Sequence, residues 1–346
     1  MLAVPPQLIA QDIGATHRLT RLAEGVYAVE GRFQGANAAI IINDREVVIV
    51  DSHGSPASAA ALLEDVRRLT DKPVRYVINT HWHVDHHTGN QAYYRAFPEQ
   101  VEFIAHRFTR EDIPTLARDQ LAQVRSFMEN PLTEAREQLA AGVDDHGRPL
   151  TSDQRAQLER FAEGQEAFLA GADSFMFVLP SMTFEQRLVL HRDVRPVEVR
   201  YFFRGHTRGD VVVYLPEERI LIAGDLLTQP ILWTWSSYPA DYVKTLRAIE
   251  QLDIDRIVIG HGAVLEGSAY LVQAREFLES VVVHVRGSIV DGSSLAETQA
   301  SSKTDQKIQA FRLRFVEDTE EGTGMFDRMV TWTVERAFQE ARGELE

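Results

Sequence analysis

Short apolar runs broken by polar turns dominate the first hundred residues. "GVYAVEG" (25–31) follows a glycine turn, "AAIIIN" (38–43) breaks at "DRE", and "VVIVDS" (47–52) resumes at once, the pattern of a hairpin. The period then changes in "SPASAAALLEDVRRLT". Ser55 is placed to cap a helix, Pro56 stands at its first position, and Leu62, Leu63, Val66 and Leu69 fall on one face. After Pro73, "VRYVINT" predicts a buried strand and "VEFIAH" another.

From about Thr109 to Ala172 the text turns helical and charged ("LARDQLAQVRSFMEN", "TSDQRAQLERFAEGQEAFLAG"), interrupted at "GVDDHGRPL". This reads as a helical insertion in a strand-rich scaffold. Strands return in "TFEQRLVLHRD", "VEVRYFFRG", "DVVVYLPEERILIAGD" and "RIVIGHG", with helix "ADYVKTLRAIEQL" before the last. The polar stretch "DGSSLAETQASSKTDQK" resembles a linker or exposed loop. Beyond it Phe326, Val330, Val334 and Phe338 recur at helical spacing, an apolar stripe that reads as core packing before dimerisation. The expected division is a catalytic unit over 1–290, with the insertion at about 109–172, and a helix-rich extension over 291–346 packed on or beside it. Strands, helix and polar loop recur in two halves, but no short repeat is present.

Composition narrows the classes. At 346 residues, 44% hydrophobic and 25% charged, the chain can bury a sizeable core. It has 36 basic against 51 acidic residues, a net charge of −15, and such a surface repels a phosphate backbone. A small-molecule substrate is expected rather than nucleic acid or membrane, with a homodimer as an open possibility. No run of eighteen apolar residues occurs. The start "MLAVPPQLIAQD" lacks a basic segment and a sustained apolar stretch, so no intact secretory signal is expected. Location stays open between cytoplasm and, with a leader removed, periplasm or secretion. The absence of cysteine eliminates disulfides, thiolate ligands and a cysteine nucleophile.

One segment stands apart. "NTHWHVDHHTGN" puts His81, His83, Asp85, His86 and His87 within seven positions, on the loop leaving a buried strand. His81 and His83 are two apart, so on extended chain both rings project the same way and can share an ion. Asp85 and His86 follow where the chain must turn, placed for a second ion nearby. Neutral imidazole and carboxylate suit Zn²⁺, and also Fe or Mn. One loop leaves both ions under-coordinated, and three later strand ends offer ligands: His206 in "YFFRGHTRGD", Asp225 in "ERILIAGDLL" and His261 in "DRIVIGHG". Each follows a glycine, which lets backbone approach a crowded site.

Over roughly residues 25–265, the insertion excepted, these motifs resemble the metallo-β-lactamase superfamily. The resemblance implies an α/β fold, a four-layer αβ/βα sandwich with metals at one edge between two pseudo-symmetric halves. It implies two zinc ions, the first on His81, His83 and His206, the second on Asp85, His86 and His261, with Asp225 bridging. Asp51, ending "VVIVD", would hold a ligand imidazole by hydrogen bond. The implied activity is hydrolysis of a small carbonyl compound (β-lactam, lactone, ester or thioester) by a bridging hydroxide, with Asp85 orienting the nucleophile. Lacking cysteine, the chain departs from the cysteine-ligand lactamases. Asp225 turns it toward the glyoxalase II, lactonase and phosphodiesterase pattern, yet Thr228 stands where acyl-homoserine lactonases usually carry tyrosine. The acidic surface speaks against the RNA-processing branch.

Two other readings stay beside the hydrolase: a mononuclear iron enzyme like the persulfide dioxygenases, and a protein that binds metal or ligand without turnover. His53 is a candidate for the pocket mouth. Trp233, Trp235 and Tyr238 in "PILWTWSSYP" are candidates for an aromatic substrate wall, or for packing against the insertion. The insertion could cover the pocket, its Phe127, Met128 and Phe168 lining it or forming a small core. His87 reads as a neighbour of the ligands, His106 as a core or rim residue, and His17, His146, His191 and His284 as structural or exposed. Asp210 either orients the His206 loop or opens the next strand.

Overall fold

The computed structural model describes residues 10–11, 17–31, 35–172, 175–192 and 194–345, with all their side chains except those of 10, 11, 125–130, 167, 168 and 170–172. The opening residues 1–9 and the side chains of Phe127, Met128 and Phe168 therefore lie outside the described residues.

Among the described residues, two sheets follow chain order. The first runs β1 (Ala10–Gln11), β2 (His17–Ala23), β3 (Val26–Gly31), β4 (Ala38–Ile42), β5 (Val47–Val50), β6 (Val74–Ile78), β7 (Glu102–His106) and β8 (Met182–Phe184). The second runs β9 (Arg187–Leu190), β10 (Val197–Arg200), β11 (Val212–Leu215), β12 (Ile220–Thr228), β13 (Arg256–His261) and β14 (Leu265–Glu266). Pairing is antiparallel except from β5 to β8 and between β12 and β13, where helices carry the crossovers.

The helices are α1 (Pro56–Leu69), α2 (Val84–His87), α3 (Asn90–Ala96), α4 (Arg107–Asp112), α5 (Arg118–Ala141), α6 (Ser152–Ala172), α7 (Pro239–Ile249), α8 (Ala269–Val290), α9 (Leu295–Ser302), α10 (Gln306–Gln309), α11 (Arg312–Phe315) and α12 (Glu320–Ala341). Ser55 caps α1 by accepting from Ser58 N, with Pro56 in the first turn, as its sequence predicts.

Three apolar clusters make the layers. Val26, Ile41, Val48 and Ile78 of the first sheet face Val197, Val213, Ile222 and Val258 of the second. Ile40, Ile49 and Val77 on the first sheet's other face pack under Leu62 and Val66 of α1 and Tyr93 of α3. Leu221, Ile257 and Ile259 on the second sheet's other face lie under Tyr242 of α7, Phe277 of α8 and Phe326 of α12. Helix, sheet, sheet and helix give the four-layer sandwich. With both sheet faces covered, the central strands are apolar at consecutive positions; β5 and β12 are buried throughout.

The insertion is a hairpin between β7 and β8. A π-helical turn at Ile113–Ala117 leads into α5, Gly142 in left-handed conformation ends it (φ 69°), and Arg136 pairs with Glu166 across to α6. One expectation needs correcting, and one strand is added. The polar stretch after α8 is no linker: Ser294 and Glu297 form a reciprocal capping box that starts α9, and Asp305 caps α10. "HRLTRLA", for which the sequence pattern predicts no element, is strand β2, its inward positions separated by charged outer residues. The stripe of Phe326, Val330, Val334 and Phe338 lies in the core against α8, so it is not an open dimerisation face.

Because Phe326 is fully buried against Phe277, with ring centroids 5.9 Å apart, Phe326→Ala should cost about 3–5 kcal/mol in urea unfolding, within one cooperative transition. An early separate transition of the C-terminal helices, with the remainder unchanged, would instead show that the tail folds on its own.

Candidate metal centre

The site lies where strands of both sheets end. β6 runs out at Ile78, and Asn79 to His83 form a short irregular segment before α2 begins. His83 is the residue before the first turn of α2, in extended conformation, and Asp85 and His86 ride on that turn. The reversal after Val84 thus divides the motif into two pairs facing different groups. His206 comes from the loop between β10 and β11, and Asp210 accepts from Thr207 N (2.7 Å) and Thr207 Oγ1 (3.1 Å) to hold the turn behind it. Asp225 sits inside β12 and His261 ends β13.

Two glycines are demanded by crowding. At Gly224 (φ 53°) the β12 register shifts, and an added Cβ would stand 2.5 Å from Thr80 Oγ1. At Gly260 a Cβ would stand 1.8 Å from Asp225 Oδ1. The shift aims Asp225 into the cleft, and Tyr242 of α7 secures it by donating to Leu226 O at 2.5 Å.

The seven residues fall into two groups whose donor atoms lie close enough to hold a cation: His81, His83, His206 and Asp225 in one, Asp85, His86 and His261 in the other. Asp225 faces both. Its Oδ2 is 3.7 Å from His81 Nε2 and 3.5 Å from His206 Nε2. Its Oδ1 is 3.1 Å from His86 Nε2 and 3.5 Å from His261 Nε2. Asp85 Oδ2 closes the second group, 3.1 Å from His261 Nε2 and 3.6 Å from His86 Nε2.

Neither Asp225 oxygen has a hydrogen-bond partner, nor have His81 Nε2 and His86 Nε2, although all are sealed from solvent. Orphaned buried acceptors of this kind cost free energy unless something fills the space between them. A divalent cation fits that requirement, and the nitrogen and carboxylate donors suit zinc, iron or manganese.

Hydrogen bonds behind the donors set which ring nitrogen faces inward. Asp51 accepts from His86 Nδ1 (2.8 Å), Thr80 Oγ1 (2.7 Å) and Thr80 N (2.8 Å). Thr80's hydroxyl proton is therefore committed, so at 3.0 Å His81 Nδ1 donates to Thr80 Oγ1. Asp51 thus holds His86 directly and His81 through Thr80, from a left-handed backbone (φ 56°) that places its carboxylate beneath both.

Burial keeps His81 and His83 well below the ordinary histidine value and His206 at about 4, so each offers a lone pair. Burial also opposes charge on His86 and His261, but Asp225 and Asp85 outweigh it and raise both. The two carboxylates are pushed up by burial and brought below the usual carboxylate range chiefly by His86.

The remaining candidates separate. Trp235 stacks on His83 at 4.7 Å and 9°, and Trp233 lies against His261 at 4.3 Å. Trp235, Tyr238, Trp82, Ser236, Arg208 and Leu116 line a cavity of about 610 Å³ beside the His83 side of the centre. Arg208 there is bound to Asp112. The aromatic loop packs against α12: Thr234 Oγ1 meets Thr333 Oγ1 at 2.8 Å, and Leu232 N donates to Met329 Sδ at 3.2 Å.

His53, expected at the pocket mouth, is folded inward by its left-handed backbone (φ 64°). It is 4% exposed, bonded through Nδ1 to Ala36 O (2.8 Å) and stacked on His17. His17 pairs with Asp65, and His284 ties Asp305 to Ser301 between the C-terminal helices. His87 is buried edge-on to Phe177, outside both donor groups, and His106 caps α4 and stacks on Tyr201.

Four residues had escaped notice. Thr80 precedes His81 directly in "NTHWH", so its place was legible. Gln120 of α5 accepts from Val84 N (2.8 Å), and Asn37 joins the two sheets by donating to Ile259 O and Gly262 O, each at 2.8 Å. Ser236 approaches His83. These three carry no local signal.

A curated linear primary-alkylsulfatase of Pseudomonas sp. is 26% identical over 255 residues, 70% of this chain and 43% of that protein. The atrochrysone carboxyl ACP thioesterase of Passalora fulva is 34% identical over 67 residues, 19% of this chain and 20% of that protein. The chain thus spans less than half the length of either. A crystal structure of a metallo beta lactamase from Erythrobacter litoralis, with beta-mercaptoethanol in its active site, superposes with TM-score 0.54 at 17% identity, over 79% of this chain and all of that one. At that identity the likeness concerns the fold. The family model of the metallo-beta-lactamase superfamily matches residues 31–108 and 132–261. Since those two stretches carry Asp51 and all seven residues of the two donor groups, the chain belongs to the metallo-beta-lactamase superfamily.

Proposed function

We propose that the chain is a hydrolase working with two divalent cations, zinc being the first candidate, on a small carbonyl compound such as an ester, thioester, lactone or β-lactam. The observation that carries this reading is Asp225, with one oxygen turned to each donor group. His81, His83, His206 and Asp225 Oδ2 would hold one cation, and Asp85, His86, His261 and Asp225 Oδ1 the other. Bound there, such cations supply Lewis-acid polarisation of the scissile bond and lower the pKa of water. The hydrolase names of both curated relatives support the class. A single-iron oxygenase needs one donor group, so the presence of a second complete group favours the two-cation reading.

The chain's own side chains divide the remaining work. Asp85 has 32% of its side chain exposed against 1% for Asp225, so it is the carboxylate that meets incoming water. It accepts a hydrogen bond from the attacking water and keeps it aligned. Trp235 and Trp82 wall the adjoining cavity, which is large enough for the non-reacting part of a small substrate. A second reading, hydrolysis of a sulfate ester, is favoured by one observation: the alkylsulfatase likeness extends over 70% of the chain, against 19% for the thioesterase.

Elemental analysis of protein purified without chelator should find close to two divalent metals per chain. One iron per chain, with oxygen consumed in the presence of persulfide, would overturn the hydrolase. Replacing Asp85→Asn should leave circular dichroism and thermal unfolding near wild type while lowering kcat by about 10²–10⁴-fold; near-normal turnover would remove its role. In a panel of nitrocefin, a simple lactone, S-lactoylglutathione and a primary alkyl sulfate, a carbonyl compound should be turned over fastest. Dominant turnover of the alkyl sulfate would move the assignment to the sulfate-ester reading.

A further inference from the structure

The loop between β12 and α7 passes directly over the first donor group, and the C-terminal helix holds it there. Arg336 of α12 donates from Nε to Ser237 O (2.8 Å) and from Nη2 to Ser236 O (3.2 Å), a forked grip that a lysine cannot reproduce. Glu340, one turn later, accepts from Ala240 N (2.7 Å) at the start of α7. With the Thr234–Thr333 contact and the Leu232–Met329 bond, α12 touches the loop along its length. The grip sets the position of the Ser236 hydroxyl, which lies 2.9 Å from His206 O and 3.3 Å from His83 Nε2.

Proton directions make this contact asymmetric. His206 O can only accept, so the Ser236 hydroxyl donates to it. The oxygen's lone pair is then left for His83, whose Nε2 must carry the proton. His83 Nδ1 faces the other way, 3.0 Å from His206 Nε2, inside the donor group. An imidazole protonated at Nε2 presents a lone pair at Nδ1, the form a metal ligand requires. Trp235, stacked on the same ring, stops it from turning. Two residues of one donor group are thus tied to a single hydroxyl, from outside the strands that carry the motifs.

We propose that Ser236, gripped by Arg336 of the C-terminal helix, is a positioning residue that orients His83 and the His206 loop for one of the two cations, making the C-terminal extension part of the metal centre. The inference rests on the two-cation reading above. It assigns to α12 a task beyond packing and confines the effect to the group containing His83. In the other group, His86 is oriented by Asp51 instead.

The experiment is competitive titration of Zn²⁺ against a chromophoric chelator on metal-free full-length chain, for wild type, Ser236→Ala, Ser236→Thr and Arg336→Gln. Ser236→Ala should weaken one of the two zinc equivalents by about 10-fold or more and leave the other unchanged. Ser236→Thr, which retains the hydroxyl, should restore it, and Arg336→Gln should weaken the same equivalent. Long-range ¹H–¹⁵N spectra of the metal-free protein should show His83 protonated at Nε2 in wild type and a tautomer mixture in Ser236→Ala, a change that lost packing alone would not produce. Wild-type protein that takes up no zinc overturns the metal reading and this inference together. Two wild-type zinc affinities in Ser236→Ala, with an unchanged His83 tautomer, overturn this inference alone.

Discussion

A carboxylate sealed among imidazoles is the constraint on which this molecule is built. Asp225 is 2% exposed and neither of its oxygens has a hydrogen-bond partner. A buried charge without compensation is costly, so the surroundings must provide positive charge, either as protons on His86 and His261 or as bound cations. Every close approach around it follows from that need. Gly260 leaves room for the carboxylate, Gly224 lets Thr80 reach Asp51, and the register shift in β12 turns Asp225 away from its strand.

The sandwich makes the convergence possible. Side chains at the ends of strands from opposite sheets meet at a shared edge only if the sheets are held in fixed relation. The apolar layer between them does this by packing, and Asn37 adds three hydrogen bonds across the edge, to Ile259 O, Gly262 O and Gly260 O. The acceptors behind the imidazoles come from the first sheet side through Asp51 and Thr80, and from the second half through Ser236. Asp51 thus steadies one imidazole of each donor group, and Ser236 adds a second support to the group containing His83.

Segments outside the two sheets close the site. The insertion supplies Gln120, which accepts from Val84 N at the start of the one-turn helix carrying Asp85 and His86. The C-terminal helix supplies Arg336 and the contacts that hold the tryptophan loop. Between them lies the cavity beside His83, with Leu116 on one side and Trp235 on the other. The segments that shape the cavity are thus also those that brace the loop carrying Asp85 and His86, so the cavity's shape and the geometry of the donor groups are mechanically linked.

Sequence alone determined the chemistry of the donors and most of the scaffold. His81, His83, Asp85 and His86 are close because the chain makes them close, and the direction of neighbouring side chains follows from strand and turn geometry. Apolar runs ending in Gly-His or Gly-Asp located His206, Asp225 and His261, since a buried strand must end near a crowded point for such a pattern to be useful. Tertiary structure alone decided the rest. Whether His53 faces the cleft or the core depended on a left-handed backbone turn. The exception is "DGSSLAETQASSKTDQK", whose Ser294–Glu297 capping box is a local signal hidden among polar residues. That Ser236 meets His83, 153 positions away, follows from the packing of α12, and contacts across such separations leave no periodicity in the chain that makes them.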